Sequence, residues 1–296
     1  MAKKSTLKKS KFTPLNTCIF IVLLLYATIM VVLIGWALMT SFKAQSDFRV
    51  NIIGLPKEWK WNYSFVFEKF KYPVMDAVVG RYEVGVGRMF INTILYAGGC
   101  AITQTLTPCL VAYCCARYRY KMSNVIPYIV ITVMSLSIAG SLPSEMKMAM
   151  YFGFYDQIWG MWMMKMNFLG TYFLVFLSTF RGIPKALDEA ARIDGAGDFT
   201  IMVKIILPTV VPTILTIMLL NFIGFWNDYT VPIVYLPSYP TISQGLQYMV
   251  ATNINDLATV PMRMTASMIV LLPILTLFII FQKRLVGNIT FGAVKG

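Results

Sequence analysis

No histidine occurs in the 296 residues of this chain, and acidic residues are half as numerous as basic ones, 13 against 26. Without histidine the commonest general base and metal ligand is missing, and no Ser/His/Asp or Cys/His arrangement can be assembled for nucleophilic catalysis. The phosphate-cradling pattern Gly-x-x-x-x-Gly-Lys-Ser/Thr is absent too, so any energy the chain uses must come from another chain. Cysteine offers no alternative: Cys18, Cys100, Cys109, Cys114 and Cys115 all fall in apolar runs, and no pair has zinc-site spacing. These absences predict a chain that performs no chemistry itself, with no catalytic residue, metal or cofactor of its own.

Charge is also scarce. Only 13% of the residues are charged and 57% are hydrophobic, against roughly 25% charged in an ordinary soluble domain. A membrane span needs about 20 predominantly apolar residues, and charge-free intervals long enough occur at 12–42, 89–116, 122–144, 205–227 and 264–282. A sixth, 166–180, reaches full length when 158–164 is added and Lys165 snorkels toward the interface. One further charge-free stretch, 229–255, carries Pro232, Pro237 and Pro240. Each internal proline costs a helix about 3 kcal/mol, so this stretch is predicted to be an extramembrane loop.

Six spans with a cytoplasmic N-terminus agree with the positive-inside rule. The inner side then holds Lys3, Lys4, Lys8, Lys9 and Lys11, next Arg117, Arg119 and Lys121, next Arg181, Lys185, Arg192 and Lys204, and finally Lys283, Arg284 and Lys295. The short outer loops keep only Lys147, Lys165 and Arg263, and a seventh span would put Lys283 and Arg284 outside. The same distribution accounts for the net charge of +13 by membrane borders, with no nucleic acid as partner. The lysine-rich start precedes an apolar run about twice the length found in a cleaved signal peptide, so it reads as a retained first span. The expected fold is an all-α polytopic membrane protein. It is one transmembrane domain, 1–296, with spans at about 13–41, 89–115, 122–144, 158–180, 205–230 and 264–282, both termini cytoplasmic. Outer loops are expected at 43–88 and 233–262, the first a small packed cap around Pro56, Trp59, Trp61, Tyr63 and Phe65.

The inner loop 181–204 carries the most specific pattern. Glu189-Ala190-Ala191 is followed after three residues by Gly195, and after nine more by Ile205, Leu207 and Pro208. Pro184 suits a first helical turn, and Leu187, Ala190 and Ala191 fall on one face at i, i+3 and i+4. Gly195 supplies a left-handed stop, and Asp198 is expected to cap a second helix leading into the fifth span. Small alanines let a partner approach closely, and the carboxylate of Glu189 can be gripped by an arginine through two hydrogen bonds. A plain interfacial helix would explain an isolated Glu-Ala-Ala, but not the whole spacing on the positive side between the fourth and fifth spans.

That spacing resembles the coupling loop, Glu-Ala-Ala-x₃-Gly-x₉-Ile-x-Leu-Pro, of permease subunits from bacterial ATP-binding-cassette (ABC) importers. Further segments resemble the carbohydrate branch, specifically the maltose-type (MalG-like) second permease: Ser41-Phe42-Lys43, Leu55-Pro56-Lys57, Asn92-Thr93, Ala112-Tyr113, Ala116 to Tyr120, Trp226-Asn227-Asp228 and the tail from Gln282 to Gly296. The resemblance covers nearly the whole chain. It implies a type I importer permease fold and a bacterial cell membrane location. The implied partners are a homologous second permease, two cytoplasmic ATPase subunits and an extracytoplasmic sugar-binding protein, with ATP and Mg held by the ATPases. It also implies that the coupling helix, with Leu187, Glu189, Ala190, Ala191, Asp194 and Gly195, sits in an ATPase cleft, Glu189 facing an arginine. Val294, Lys295 and Gly296 would reach between the two ATPases.

For the substrate pathway the candidates are Asn221, Phe225, Trp226, Asn227 and Asp228. Asn221, Phe225 and Asp228 share one face of the fifth span, and intramembrane polar groups commonly face a cavity. Tyr229 and the tryptophan also suit an interfacial aromatic belt, and Asn-Asp also suits the end of a helix. Two other functions remain open here: a permease of the same superfamily for a non-sugar solute, and an ion-coupled carrier. The second conflicts with the near absence of ionisable groups within the spans.

Overall fold

The structure is a computed structural model that describes residues 14–76, 80–118, 120–136, 140–252 and 257–293, without the side chains of Asp76 and 283–293. Lys3, Lys4, Lys8, Lys9, Lys11, Arg119, Val294, Lys295 and Gly296 lie outside the described residues. The first helix, α1 (Pro14–Ser41), contains no charged residue; its apolar run is exposed all round as far as Gly35, whereas Trp36, Ala37 and Met39 are half-buried and Thr40 and Ser41 are buried. At 1.5 Å per residue its 28 residues reach about 42 Å, enough to cross a hydrocarbon core of about 30 Å.

Outside α1 lies the cap: α2 (Gln45–Val50), α3 (Asn62–Lys69) and an antiparallel hairpin of β1 (Lys71–Asp76) and β2 (Gly80–Gly85). Ser41-Phe42-Lys43 joins it to α1. The fully buried Lys43 donates through Nζ to the carbonyls of Asn51 (2.8 Å) and Ile52 (3.3 Å). Asn62, also fully buried, donates to the carbonyls of Ser41 and Lys43 at 2.8 and 2.9 Å. These bonds replace the water that burial takes away, and an unpaired polar group there would be costly. Val66, Phe70, Val74 and Val84 of the cap share a core with Met89, Trp226 and Met249.

The central helix is α4 (Val86–Arg117), which packs along α7 (Ile158–Met164), α8 (Thr171–Arg181) and α11 (Leu207–Asn227). Gly99 permits one of these contacts. A Cβ there would overlap the Trp162 ring, whose Nε1 donates to the carbonyl of Leu95.

Among the described residues, four helices are long and apolar enough to cross a membrane: Pro14–Ser41, Val86–Arg117, Asp198–Asn227 and Val260–Gln282. The stretches expected as the third and fourth spans are each divided. In the third, 122–144, α5 (Val125–Ser135) stops well short of 144, Gly140 has a φ of +80° that suits glycine, and the last three residues already belong to α6 (Leu142–Tyr151), which Pro143 opens and which runs on beyond the expected span. In the fourth, α7 and α8 are separated at 165–170, where Asn167 Oδ1 accepts from the Leu169 N–H. Lys165 does not simply reach outward; its Nζ lies 5.7 Å from the centre of the Phe225 ring.

After α8 come α9 (Ala186–Ile193) and the single turn α10 (Asp198–Thr200), which continues through a π-helical stretch, Ile201–Ile206, into α11. The proline-rich stretch read as a loop contains α12 (Thr230–Tyr235) and α13 (Ile242–Ala251) before α14 (Val260–Ala293). A reciprocal cap starts α13: the Gln244 N–H donates to Thr241 Oγ1 and the Thr241 N–H to Gln244 Oε1. Ser243 and Gln244 are buried there, Ser243 donating to the carbonyl of Trp226 and Gln244 to the Tyr72 hydroxyl.

Candidate functional site

Helix α9 lies against the C-terminal ends of α4 and α8 and the π-helical stretch that leads into α11. Its end is a Schellman turn: the Gly195 N–H donates to the carbonyl of Arg192 (3.0 Å) and the Ala196 N–H to that of Ala191 (2.9 Å). Gly195 adopts φ +82°, as this turn requires. Gly197, rather than Asp198, occupies the cap before the next turn. Asp198 instead accepts from Arg192 Nη2 at 2.7 Å, an exposed pair that spans the turn.

The inner face of α9 is set by Asp188 and Ala191. Ala191 is buried in a cluster with Phe176, Phe180, Ile201 and Ile206. Asp188 Oδ2 lies 3.2 Å from Arg117 Nη1, with only 18% and 5% of the two side chains exposed. The same Nη1 donates to the carbonyl of Ile183, so one arginine at the end of α4 holds both the entry to α9 and its first turn. Leu187, Ala190 and Ala191 therefore do not form one partner-facing surface. A helix turns about 100° per residue, and Ala191 shares the inward side with Asp188, while Leu187 and Ala190 are exposed.

The outward side presents Glu189, Asp194 and Gly195 together with Leu187 and Ala190, all exposed. Among the described residues Glu189 has no ion pair. The same loop exposes two large apolar residues that sequence reasoning passed over, Ile193 at the end of α9 at 87% and Phe199 in α10 at 75% exposure. Their signal was available: two large apolar side chains in a polar loop, outside any span.

A cavity of about 730 Å³ opens next to α9. Tyr120 on its wall makes a hydrogen bond with Cys115 Sγ, and this bond, with some burial, pushes the phenol up to about 12.

Toward the other end of α11, four of the five candidate pathway residues turn toward α4 and α14. Asn221 is buried and donates to Thr105 Oγ1 at 3.0 Å; Phe225 packs edge-on against Tyr96. Asp228 accepts from the Tyr96 hydroxyl at 3.1 Å and from the N–H groups of Thr230 and Val231, so it caps α12. Trp226 is buried and donates to the carbonyl of Val270. Asn227 is exposed, its amide donating to the carbonyl of Ile223 on its own helix. The structure thus brings Phe225 and Asp228 together at Tyr96, and their shared face with Asn221 meets a neighbouring helix.

A family model described as "Binding-protein-dependent transport system inner membrane component" matches residues 115–290, which include α9. The chain is 25% identical to the diacetylchitobiose uptake system permease protein NgcG of Streptomyces coelicolor, over 92% of this chain and 87% of that protein. It is 27% identical to the melibiose/raffinose/stachyose import permease protein MelC of Bacillus subtilis, over 88% and 89%. A third relative, the probable starch degradation products transport system permease protein AmyC of Thermoanaerobacterium thermosulfurigenes, is 29% identical over 87% and 89%. The fold matches a chain from the crystal structure of a bacterial ABC transporter involved in the import of the acidic polysaccharide alginate. That match has a TM-score of 0.74 and 22% identity, covering 94% of this chain and 99% of the other.

Proposed function

The chain belongs to the family of binding-protein-dependent transport system inner membrane components, and from that premise we propose that it is one permease subunit of an ATP-driven carbohydrate importer. It is a multi-pass membrane protein that lines the translocation pathway together with a homologous second permease. Two cytoplasmic ATPase subunits hold ATP and Mg, and an extracytoplasmic sugar-binding protein delivers the substrate. The carbohydrate assignment is supported by the sugars in the names of the relatives at 25–29% identity.

One observation carries the coupling role: α9 is anchored on its inner side by Arg117–Asp188 and Ala191, yet exposes Glu189, Leu187 and Ile193. A helix fixed to the span ends behind it and bare in front transmits a push from a docked partner. Only contacts that differ between the two nucleotide states of the ATPase can shift the permease between its two orientations, and Glu189 is the charged handle for such a contact. Ala190, Ala191, Asp194 and Gly195 shape the same helix end, and Val294, Lys295 and Gly296 are further ATPase contacts.

The test is reconstitution of the chain with its companion permease, ATPase subunits and binding protein in proteoliposomes, followed by oligosaccharide uptake. Uptake is expected to require ATP and the binding protein, and Glu189→Lys is expected to abolish it while leaving the two permeases assembled. Uptake driven by an ion gradient without ATP would overturn the assignment.

A further inference from the structure

The cavity beside α9 is walled by four basic residues from separate segments: Arg117 at the end of α4, Lys121 in the turn after it, Arg181 at the end of α8 and Lys185 just before α9. No carboxylate stands among its lining residues. The nearby acid, Asp188, is engaged by Arg117. Among the described residues the buried Nε and Nη2 of Arg117, like Oδ1 of Asp188, have no hydrogen-bond partner; with that pair neutralising itself, the excess positive charge of this corner comes from Lys121, Arg181 and Lys185. Lys121, Arg181 and Lys185 are exposed. The positive-inside rule explains basic residues at a membrane border, but it does not gather four of them around one concave space of about 730 Å³.

We propose that this cavity is a binding site for a phosphate group, carried either by an acidic phospholipid headgroup or by a soluble phosphate. The chemistry of the walls fits. Lysine and arginine side chains grip phosphate oxygens through charge-assisted hydrogen bonds, and the half-buried Ala116 and Ile183 give the cavity an apolar side on which the acyl-bearing end of a lipid can rest. Tyr120 contributes a phenol that stays protonated, since its hydrogen bond to Cys115 pushes it up to about 12. An occupant would tie the end of α4 to the segment entering α9, so its presence would influence how firmly the coupling helix is held. The cytoplasmic placement of the cavity rests on the topology adopted above, but the binding measurement does not depend on transport.

The experiment measures retained ligand on the purified importer complex. Native mass spectrometry after titration with phosphatidylglycerol forms one arm, and equilibrium binding of inorganic phosphate forms the other. The variants are Lys121→Gln/Arg181→Gln and, as a control that removes a basic residue at the same border, Lys204→Gln, which is exposed and does not line the cavity. The proposal expects saturable binding of one of the two probes. The double variant should bind about thirtyfold more weakly, two contacts of ordinary juxtamembrane strength, and Lys204→Gln should match wild type. Lipid retention identifies a membrane source, and phosphate binding alone identifies a soluble one. Unchanged assembly with the ATPase shows that the double variant is folded. Absence of saturable binding by both probes, or equal weakening in the control, would overturn the site. Transport failure with this binding intact would count against the importer assignment alone.

Discussion

The Arg117–Asp188 bridge gives the sharpest prediction, because it links α9 to the rest of the chain through a pair whose side chains are 5% and 18% exposed. Removing one partner of a buried pair costs about 3–5 kcal/mol, since the other charge is left without compensation. Asp188 retains some access to water, which places Arg117→Met near the lower end, about 3 kcal/mol. The strain is relieved by letting α9 leave its seat, so the undocked population should rise by about 150-fold. Hydrogen–deuterium exchange of the amides in 186–193 reads this directly. The internal control is Arg192→Met, which breaks the exposed Arg192–Asp198 pair at 59% and 54% exposure. A surface pair is worth about 0–1 kcal/mol, so exchange there should change by less than about fivefold. Arg117→Met/Asp188→Leu should recover most of the protection, because a buried pair replaced by apolar groups is close to neutral. If Arg117→Met raises exchange no more than Arg192→Met, the bridge does not hold α9.

Three further outcomes follow from the same geometry. Gly195→Ala forces an L side chain into φ +82° with nothing within 4 Å of the new Cβ; the cost is backbone conformation alone, about 1–2 kcal/mol, and should appear as about 5- to 30-fold faster exchange of the Ala196 amide. Ile193→Ser removes a side chain that is 87% exposed in the free chain; if docking buries it, the loss of about 2 kcal/mol weakens ATPase association about thirtyfold by interferometry. The Tyr120 phenol, raised from 10.0 to about 12 by its Cys115 hydrogen bond and burial, should give a late tyrosinate absorbance step that Tyr120→Phe removes. Its folded-state value lies above its unfolded one, so its contribution to stability is complete below pH 10.0 and is lost as pH rises toward about 12.

The long helices were legible because a charge-free run of span length has few alternatives. The end of α9 was legible as well, since Gly195 answers a local demand of the backbone that no distant contact alters. What sequence patterns missed depended on distant partners. Proline content marked 229–255 as a loop, and it concealed the Thr241–Gln244 cap that starts α13 and the buried bonds of Ser243 and Gln244. The break at 165–170 was hidden because apolar content carries no record of where backbone bonding stops; interrupted helices are tolerated at membrane depth where protein covers them. Asn221, Phe225 and Asp228 do share a face, but periodicity alone does not say what the face meets, and Thr105 and Tyr96 of α4 supply the answer. Asp188 went unnoticed beside Glu189 because its partner, Arg117, lies five helices earlier in the chain.

The central claim is that the outward side of α9 is where the ATPase engages. Photo-crosslinking from residue 189 or 193, in the complete complex with a matched probe at Trp59 in the outer cap, tests it most directly. The account predicts crosslinks from 189 and 193 to an ATPase subunit, with yields that change between nucleotide-free and ATP-bound states, and none from 59. Crosslinks from 189 and 193 to lipid or the companion permease only, in both states, would contradict it.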